Sequence, residues 1–169
     1  MQRLSERMST SKSGFHVKYE VKETKLGLGL FVMEPVAKGT LLWSYKKGEN
    51  ILSLQGEEET RQHLATLQTD VARRDWLEHA YHDGGTLNYI LDDGGLWNHS
   101  AVPNTGGQED GLDSLSSYAL RDLAAGEELL DDYGTYEYPV WLVRLCKEYQ
   151  VDMEYFDLPS QGERESSAR

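Results

Sequence analysis

Asn98 and His99 stand side by side in the stretch Leu96-Trp97-Asn98-His99-Ser100-Ala101-Val102-Pro103-Asn104, whose amides, imidazole and hydroxyl follow neither a helical nor a strand periodicity. Taken alone, an Asn-His pair is ordinary turn chemistry, and a lone histidine is more often structural than a ligand. A second polar run, Gly126 to Gly134, ends on Tyr133, a phenol of the kind that usually packs half-buried with a wet tip. Leu26-Gly27-Leu28-Gly29 adds two glycines, which let a backbone approach a ligand with no Cβ in the way. It lacks the third glycine of the dinucleotide fingerprint. No second histidine or carboxylate stands at metal-like spacing from His99, and Cys146 is the only cysteine, which argues against zinc. Glu127 and Glu128 read as structural groups at a turn rather than as an acid/base pair.

In order, Asn98-His99-Ser100-x-x-Pro103-Asn104 precedes Gly126-Glu127-Glu128-Leu129-x-x-Asp132-Tyr133. On these two strings the chain resembles the SET-domain lysine methyltransferases, over roughly Phe15 to Tyr136. The resemblance implies methyl transfer from S-adenosylmethionine to the side-chain amine of a protein lysine. It implies that Leu26, Gly27, Leu28 and Gly29 contact the cofactor, that Asn98 holds its amino-acid end, and that the His99 backbone reads the adenine. Tyr133 is the implied catalytic group. Displacement from a sulfonium needs a neutral amine, whereas a free lysine has a pKa near ~10.4. A like charge and a desolvated channel both lower that value. A tyrosine hydroxyl can then aim the amine lone pair, which is catalysis by positioning. Tyr45, closing Trp43-Ser44-Tyr45, and Tyr118 are further channel candidates, and Tyr89 a ligand contact. Aromatic faces around an ammonium contribute ~0.5–2 kcal/mol through cation–π attraction.

The chain also departs from the family pattern. Ala101 stands where the family often has cysteine, a position without a role in this chemistry. Many members complete the lysine channel with a cysteine-rich zinc module, which Cys146 alone cannot build. Tyr136, Tyr138 or Trp141 could close the channel instead, with one ring, such as Trp141, stacked on the adenine. Equally, Trp141, Leu142 and Leu145 could be the buried stripe of a helix. No flanking module of the larger members is expected either, so substrate choice would fall to the core, the helical insert or a partner. Such a small core could also form a homodimer. The runner-up function is a catalytically silent module that binds peptide or S-adenosylmethionine; the presence of Asn98, His99 and Tyr133 together speaks against it. An assembly domain without a small ligand leaves the polar stretch unexplained.

Composition narrows the partners. The chain has 169 residues, enough for one domain with a real core, and 29 acidic against 17 basic side chains give a net charge of −12. Such a surface repels nucleic acid and attracts a Lys/Arg-rich, histone-like tail, although acidic surfaces also serve plain solubility. No apolar run approaches the ~20 residues of a membrane span, and Met1 to Gly14 lacks the apolar stretch of a secretory signal. The expectation is an intracellular protein without direct nucleic-acid or membrane contact.

The elements that must position these groups are mostly strands. Phe15, Val17, Tyr19 and Val21 alternate with polar residues, predicting a strand. The glycines at 26–29 interrupt it, Leu30 to Met33 resumes, and Thr40 to Tyr45 forms a third strand. Glu57 to about Tyr81 predicts two short helices, an insert over about 55–83, with Leu64, Leu67, Val71 and Leu77 inward and Thr69 or Asp70 as second N-cap. Gly84-Gly85 ends them. Strands are expected at Thr86–Leu91, Leu115–Leu120 and Glu127–Leu130, and a helix from Pro139 to about Tyr149. The domain division is a disordered leader 1–14, a core 15–136, a flanking helix and apolar flap 137–158, and a disordered tail 159–169. Many short strands with a small helical insert make an α+β, strand-dominated domain. The resemblance refines this to several small sheets with a pseudoknot-like crossing near Asn98-His99.

Overall fold

The computed structural model describes residues 13–108 and 115–152. The expected leader and tail, and the flap at Met153–Leu158, fall outside these residues except for Ser13 and Gly14. The described chain is a strand-rich α+β domain of four small sheets and three helices.

Tyr19–Thr24 (β1) and Gly27–Val32 (β2) form an antiparallel hairpin in which Thr24 pairs with Gly27 and Tyr19 with Val32. Only Lys25 and Leu26 remain for the turn, so both glycines lie inside β2 rather than interrupting it. The alternation that begins at Phe15 is real, but Phe15 pairs with Trp43 of Leu41–Trp43 (β3) and not with β2. The chain therefore changes partner before β1 starts. β3, Ser117–Ala119 (β9) and Thr105–Gly106 (β8) make a second sheet, ordered β3-β9-β8.

The insert differs from expectation at its ends. Gly56–Thr66 (α1) and Asp70–His79 (α2) are the two helices, and the Thr69 hydroxyl caps α2 by accepting from the Ala72 amide at 3.1 Å. Gly84-Gly85 does not end α2. Ala80–Asp83 (β5) intervenes and pairs with Thr86–Ile90 (β6), while Ile51–Leu54 (β4) flanks β6 on its other side. Both glycines have positive φ, +58° and +78°, as a two-residue hairpin turn between Asp83 and Thr86 requires. Val71 is 67% exposed; Trp76 takes the inward position expected of it.

Two apolar cores result. Leu30, Val32, Leu42, Ile51 and Leu129 are fully buried beneath the hairpin with Trp43 and Trp97. Leu64, Trp76, Leu77 and Leu87 form the second with Leu142, Leu145 and Cys146 of Val140–Glu148 (α3), so Pro139 precedes a helix with a buried stripe. Burial pushes the Cys146 thiol up to about 12, which makes it an inert packing group.

A buried carboxylate ties the turn before Asn98 to the rest. Asp92 accepts from the Gly14 amide at 2.7 Å, the Trp43 indole at 3.0 Å and the Gly94 amide at 2.9 Å. This locks the short turn Asp93–Leu96 beneath the chain leading into Asn98–His99 (β7). Leu130–Asp131 (β10) is shorter than expected and lies parallel to β7, Leu130 opposite Asn98 and Asp131 opposite His99. It is the one parallel pair of strands among the described residues.

Candidate active site

Asn104 shows why two distant segments meet. Its side chain, 2% exposed, substitutes for a strand neighbour: Nδ2 donates to the Glu128 carbonyl and Oδ1 accepts from the Leu130 amide, both at 2.8 Å. The Thr105 hydroxyl donates to the Leu130 carbonyl at 2.8 Å and accepts from the Trp97 indole at 2.9 Å. A buried backbone strand needs its polar groups satisfied, and these side chains do so where no long ladder exists.

At one end of this junction lie Gly29, Asn98 and Glu128. The Asn98 amide nitrogen donates to Glu128 Oε1 at 2.7 Å and to the Leu28 carbonyl at 3.2 Å. A Cβ on Gly29 would collide with Glu128 Oε1 and reach 2.9 Å from Asn98 Nδ2, so only glycine lets the three segments close. Leu26, at the hairpin turn, is exposed. The G-x-G hairpin, Asn98 and the Gly126–Tyr133 run therefore form one locus.

At the other end lie His99 and Tyr133. The Tyr133 amide donates to His99 Nδ1 at 3.0 Å. That bond needs the Nδ1 lone pair, so the proton sits on Nε2 and the ring is neutral. Asp132 Oδ1, 3.9 Å from Nδ1, is then a neighbour rather than an ion-pair partner. Asp132 instead accepts from the Gly134 amide at 2.9 Å, which fixes the turn Tyr133–Thr135. The Tyr133 hydroxyl donates to the Trp97 carbonyl.

Tyr133 sits in an aromatic cluster. Its ring lies 5.3 Å from that of His99 and 5.7 Å from that of Tyr136, which is 4.8 Å from Tyr81. The Tyr136 hydroxyl donates to Asp131 Oδ2 at 2.6 Å. Burial pushes the Tyr136 phenol well above its ordinary range, and it pushes the Asp131 carboxyl up as well, against the pull of the Tyr136 hydrogen bond. Tyr81 is raised for the same first reason, burial, with Tyr45 and the Asp83 and Asp131 carboxylates adding to it. A cavity of about 600 Å³ is lined by Tyr81, Trp97 and Tyr136 and by the carboxylates of Asp83, Asp131 and Asp132. No Lys, Arg or His is among its described lining residues. A smaller cavity of about 140 Å³ shares Tyr81, Trp97 and Tyr136 and reaches Tyr133 and Tyr138. Aromatic walls with carboxylates suit a cationic or amine-bearing guest.

The structure thus gathers Gly27, Leu28, Gly29, Asn98, His99 and Tyr133, and adds Glu128, Asp131, Tyr136 and Tyr81. It seats other candidates apart. Tyr45 bonds Ser53 through its hydroxyl at 2.7 Å and packs on the first core, touching the site only through its electrostatic effect on Tyr81. Tyr118 lines a separate cavity with Lys38, Gly39 and Leu120, because its β9 neighbour Ser117 takes the face toward the large one. Tyr89 stacks on Trp76 in the second core, centroids 5.2 Å apart. Trp141 meets His82 edge-on at 6.0 Å, and its neighbours Leu142 and Leu145 form the buried stripe of α3. Glu128 could have been found from strand alternation: Glu127 points out to Arg121 at 2.8 Å, so its neighbour points in.

The amide oxygen at the Asn98 end and the glycine that lets the segments converge fit the amino-acid arm of S-adenosylmethionine: Asn98 Oδ1 is an acceptor for an ammonium, while the Glu128 carboxylate holds the amide nitrogen. Among the described residues no group of three His, Cys, Asp or Glu could hold a metal ion, and no helix is long and apolar enough to cross a membrane.

Comparison with known proteins gives the family. No curated protein sequence matches the chain. A crystal structure of a candidate histone methyltransferase from Plasmodium falciparum is similar at 21% identity, with a TM-score of 0.43, over 69% of this chain and 97% of that one. The Neurospora SET-domain protein DIM-5, a histone lysine methyltransferase, is similar at 20% identity, with a TM-score of 0.48, over 75% of this chain and 56% of that one. Likenesses this distant speak to no residue's role. The profile of the SET domain matches residues 27–134, more than half of the chain and the whole of the locus described above. The chain therefore belongs to the SET-domain family, a family of methyltransferases.

Proposed function

We propose that this SET domain is an S-adenosylmethionine-dependent protein-lysine N-methyltransferase acting on a basic, histone-like segment. The observation that carries the proposal is Tyr133, joined through its amide to His99 and through its hydroxyl to the Trp97 carbonyl, one residue from Asn98. When bound, the cofactor supplies an electrophilic methyl group on sulfur. Asn98 and the backbone of Gly27 to Gly29 are the groups to hold its amino-acid arm.

The hydrogen bond to Trp97 gives the Tyr133 hydroxyl its function. Because that O–H donates to a carbonyl, it is as an acceptor that the Tyr133 oxygen would meet an N–H of a substrate amine. An amine so held has its own lone pair directed rather than tumbling, which is where the rate gain of positioning arises. Tyr81, Tyr136 and Trp97 exclude water around it, and desolvation favours its uncharged form. Asp83, Asp131 and Asp132 and the net charge of −12 favour basic residues flanking the lysine.

Mass spectrometry of basic protein substrates incubated with the chain and S-adenosylmethionine tests this. Methyl addition to lysine is expected, and it should survive a chelator, since the proposed chemistry uses no metal. Methylation confined to another residue type, or lost with the chelator, would refute the proposal.

A further inference from the structure

Asn98 can accept an ammonium only if its amide is turned the right way, and its own turn does not decide that. The nitrogen faces three oxygens: Glu128 Oε1 at 2.7 Å, the Leu28 carbonyl at 3.2 Å and Thr24 Oγ1 at 3.5 Å. Glu128 is the shortest and the only charged one of the three. A flipped amide would set its oxygen against a carboxylate and a carbonyl, so the network fixes the orientation. The amide oxygen, by contrast, has no partner among the described residues. Glu128 is itself held: its carbonyl accepts from Asn104, its backbone bridges to Phe31, and its carboxylate sits against Gly29.

We propose that Glu128 is a positioning residue for the methyl donor, anchoring the Asn98 amide nitrogen so that the amide oxygen is presented to the ligand's α-ammonium. The inference rests on the reading of this site as an S-adenosylmethionine site. It gives a role to a side chain that the sequence alone marks as a turn carboxylate. The carboxylate acts as a hydrogen-bond acceptor toward Asn98, and its charge is not what the ligand meets.

Calorimetric titration with two probes separates this role from a structural one. S-adenosylhomocysteine carries the amino-acid arm; 5′-methylthioadenosine keeps the nucleoside and thioether and lacks the arm. Glu128→Ala should weaken S-adenosylhomocysteine about tenfold, as loss of one hydrogen bond does, and leave 5′-methylthioadenosine unchanged. Glu128→Gln, which keeps an acceptor oxygen, should restore binding to within about threefold of wild type. Should Glu128→Ala not fold, Glu128→Met keeps the volume without the oxygen and makes the same comparison. Equal weakening of both probes, no weakening of either, or a Gln variant as poor as Ala each overturns the proposal. If the wild-type chain binds neither probe, the cofactor reading itself fails, an outcome distinct from these.

Discussion

The two halves of this molecule each bury an apolar core and differ in what is added to it. The half that carries the site is stitched by single polar groups spanning long stretches of chain: Asp92 to Gly14 and Trp43, Asn104 to the backbone of Glu128 and Leu130, His99 to Tyr133. The insert and α3 are held by apolar burial around Leu64, Leu77, Leu87 and Leu145, with exposed ion pairs such as Arg61 with Glu148 laid over it. Short strands cannot position a site to within an ångström by ladder bonds alone. Directional side-chain bonds can, at the cost of making each member indispensable.

Substitutions should expose the contrast. Asp92→Ala strands the Gly14, Trp43 and Gly94 donors in the interior and is expected to destabilise by about 3–5 kcal/mol in urea unfolding. Little change there would mean the carboxylate is dispensable. Leu145→Ala opens a cavity in the second core and should lose about 2–4 kcal/mol, while the surviving folded fraction retains ligand binding. Asp131→Asn sharpens the comparison through pH. Its carboxyl is raised by burial, so the fold binds that proton more readily than the unfolded chain does. The group therefore favours folding at acid pH and costs stability as pH rises through its folded pKa. At neutral pH Asp131→Asn should match or exceed wild-type stability, and the gap should close toward the ordinary carboxyl range near ~4. A gap constant with pH contradicts this. Arg61→Ala, on the exposed side of α1, should leave the unfolding midpoint at that of wild type.

What was legible in the sequence follows the same division. Asn98 and His99 belong to no periodic pattern, but their roles and that of Tyr133 rest on the two strings that resemble the SET-domain family. The hairpin strands and both insert helices are readable because their apolar spacing matches one local period, whereas the sequence leaves Thr69 or Asp70 open as the cap and leaves the α3 stripe level with a channel role for Trp141. β4 and β5 were hidden: four residues of Ala-Tyr-His-Asp directly after a helix offer no alternation long enough to separate from it. The glycines of β2 read as a break in the sequence because their cause, Asn98 and Glu128 packing over Gly29, lies 69 and more residues away in the chain. The ten tyrosines posed the same problem. Tyr81 and Tyr136 line the two cavities of the site while Tyr89 lines neither and Tyr118 faces a separate one, and that depends on which face each short strand turns inward.

Turnover of Tyr133→Phe on a methyl-accepting basic substrate, measured beside its affinity for S-adenosylhomocysteine, addresses the central claim most directly. If the phenol aims the amine, the rate should fall one to two decades, about 1.4–3 kcal/mol of transition-state stabilisation, while binding stays within about threefold. A Tyr133→Phe protein that methylates at the wild-type rate would contradict the mechanism.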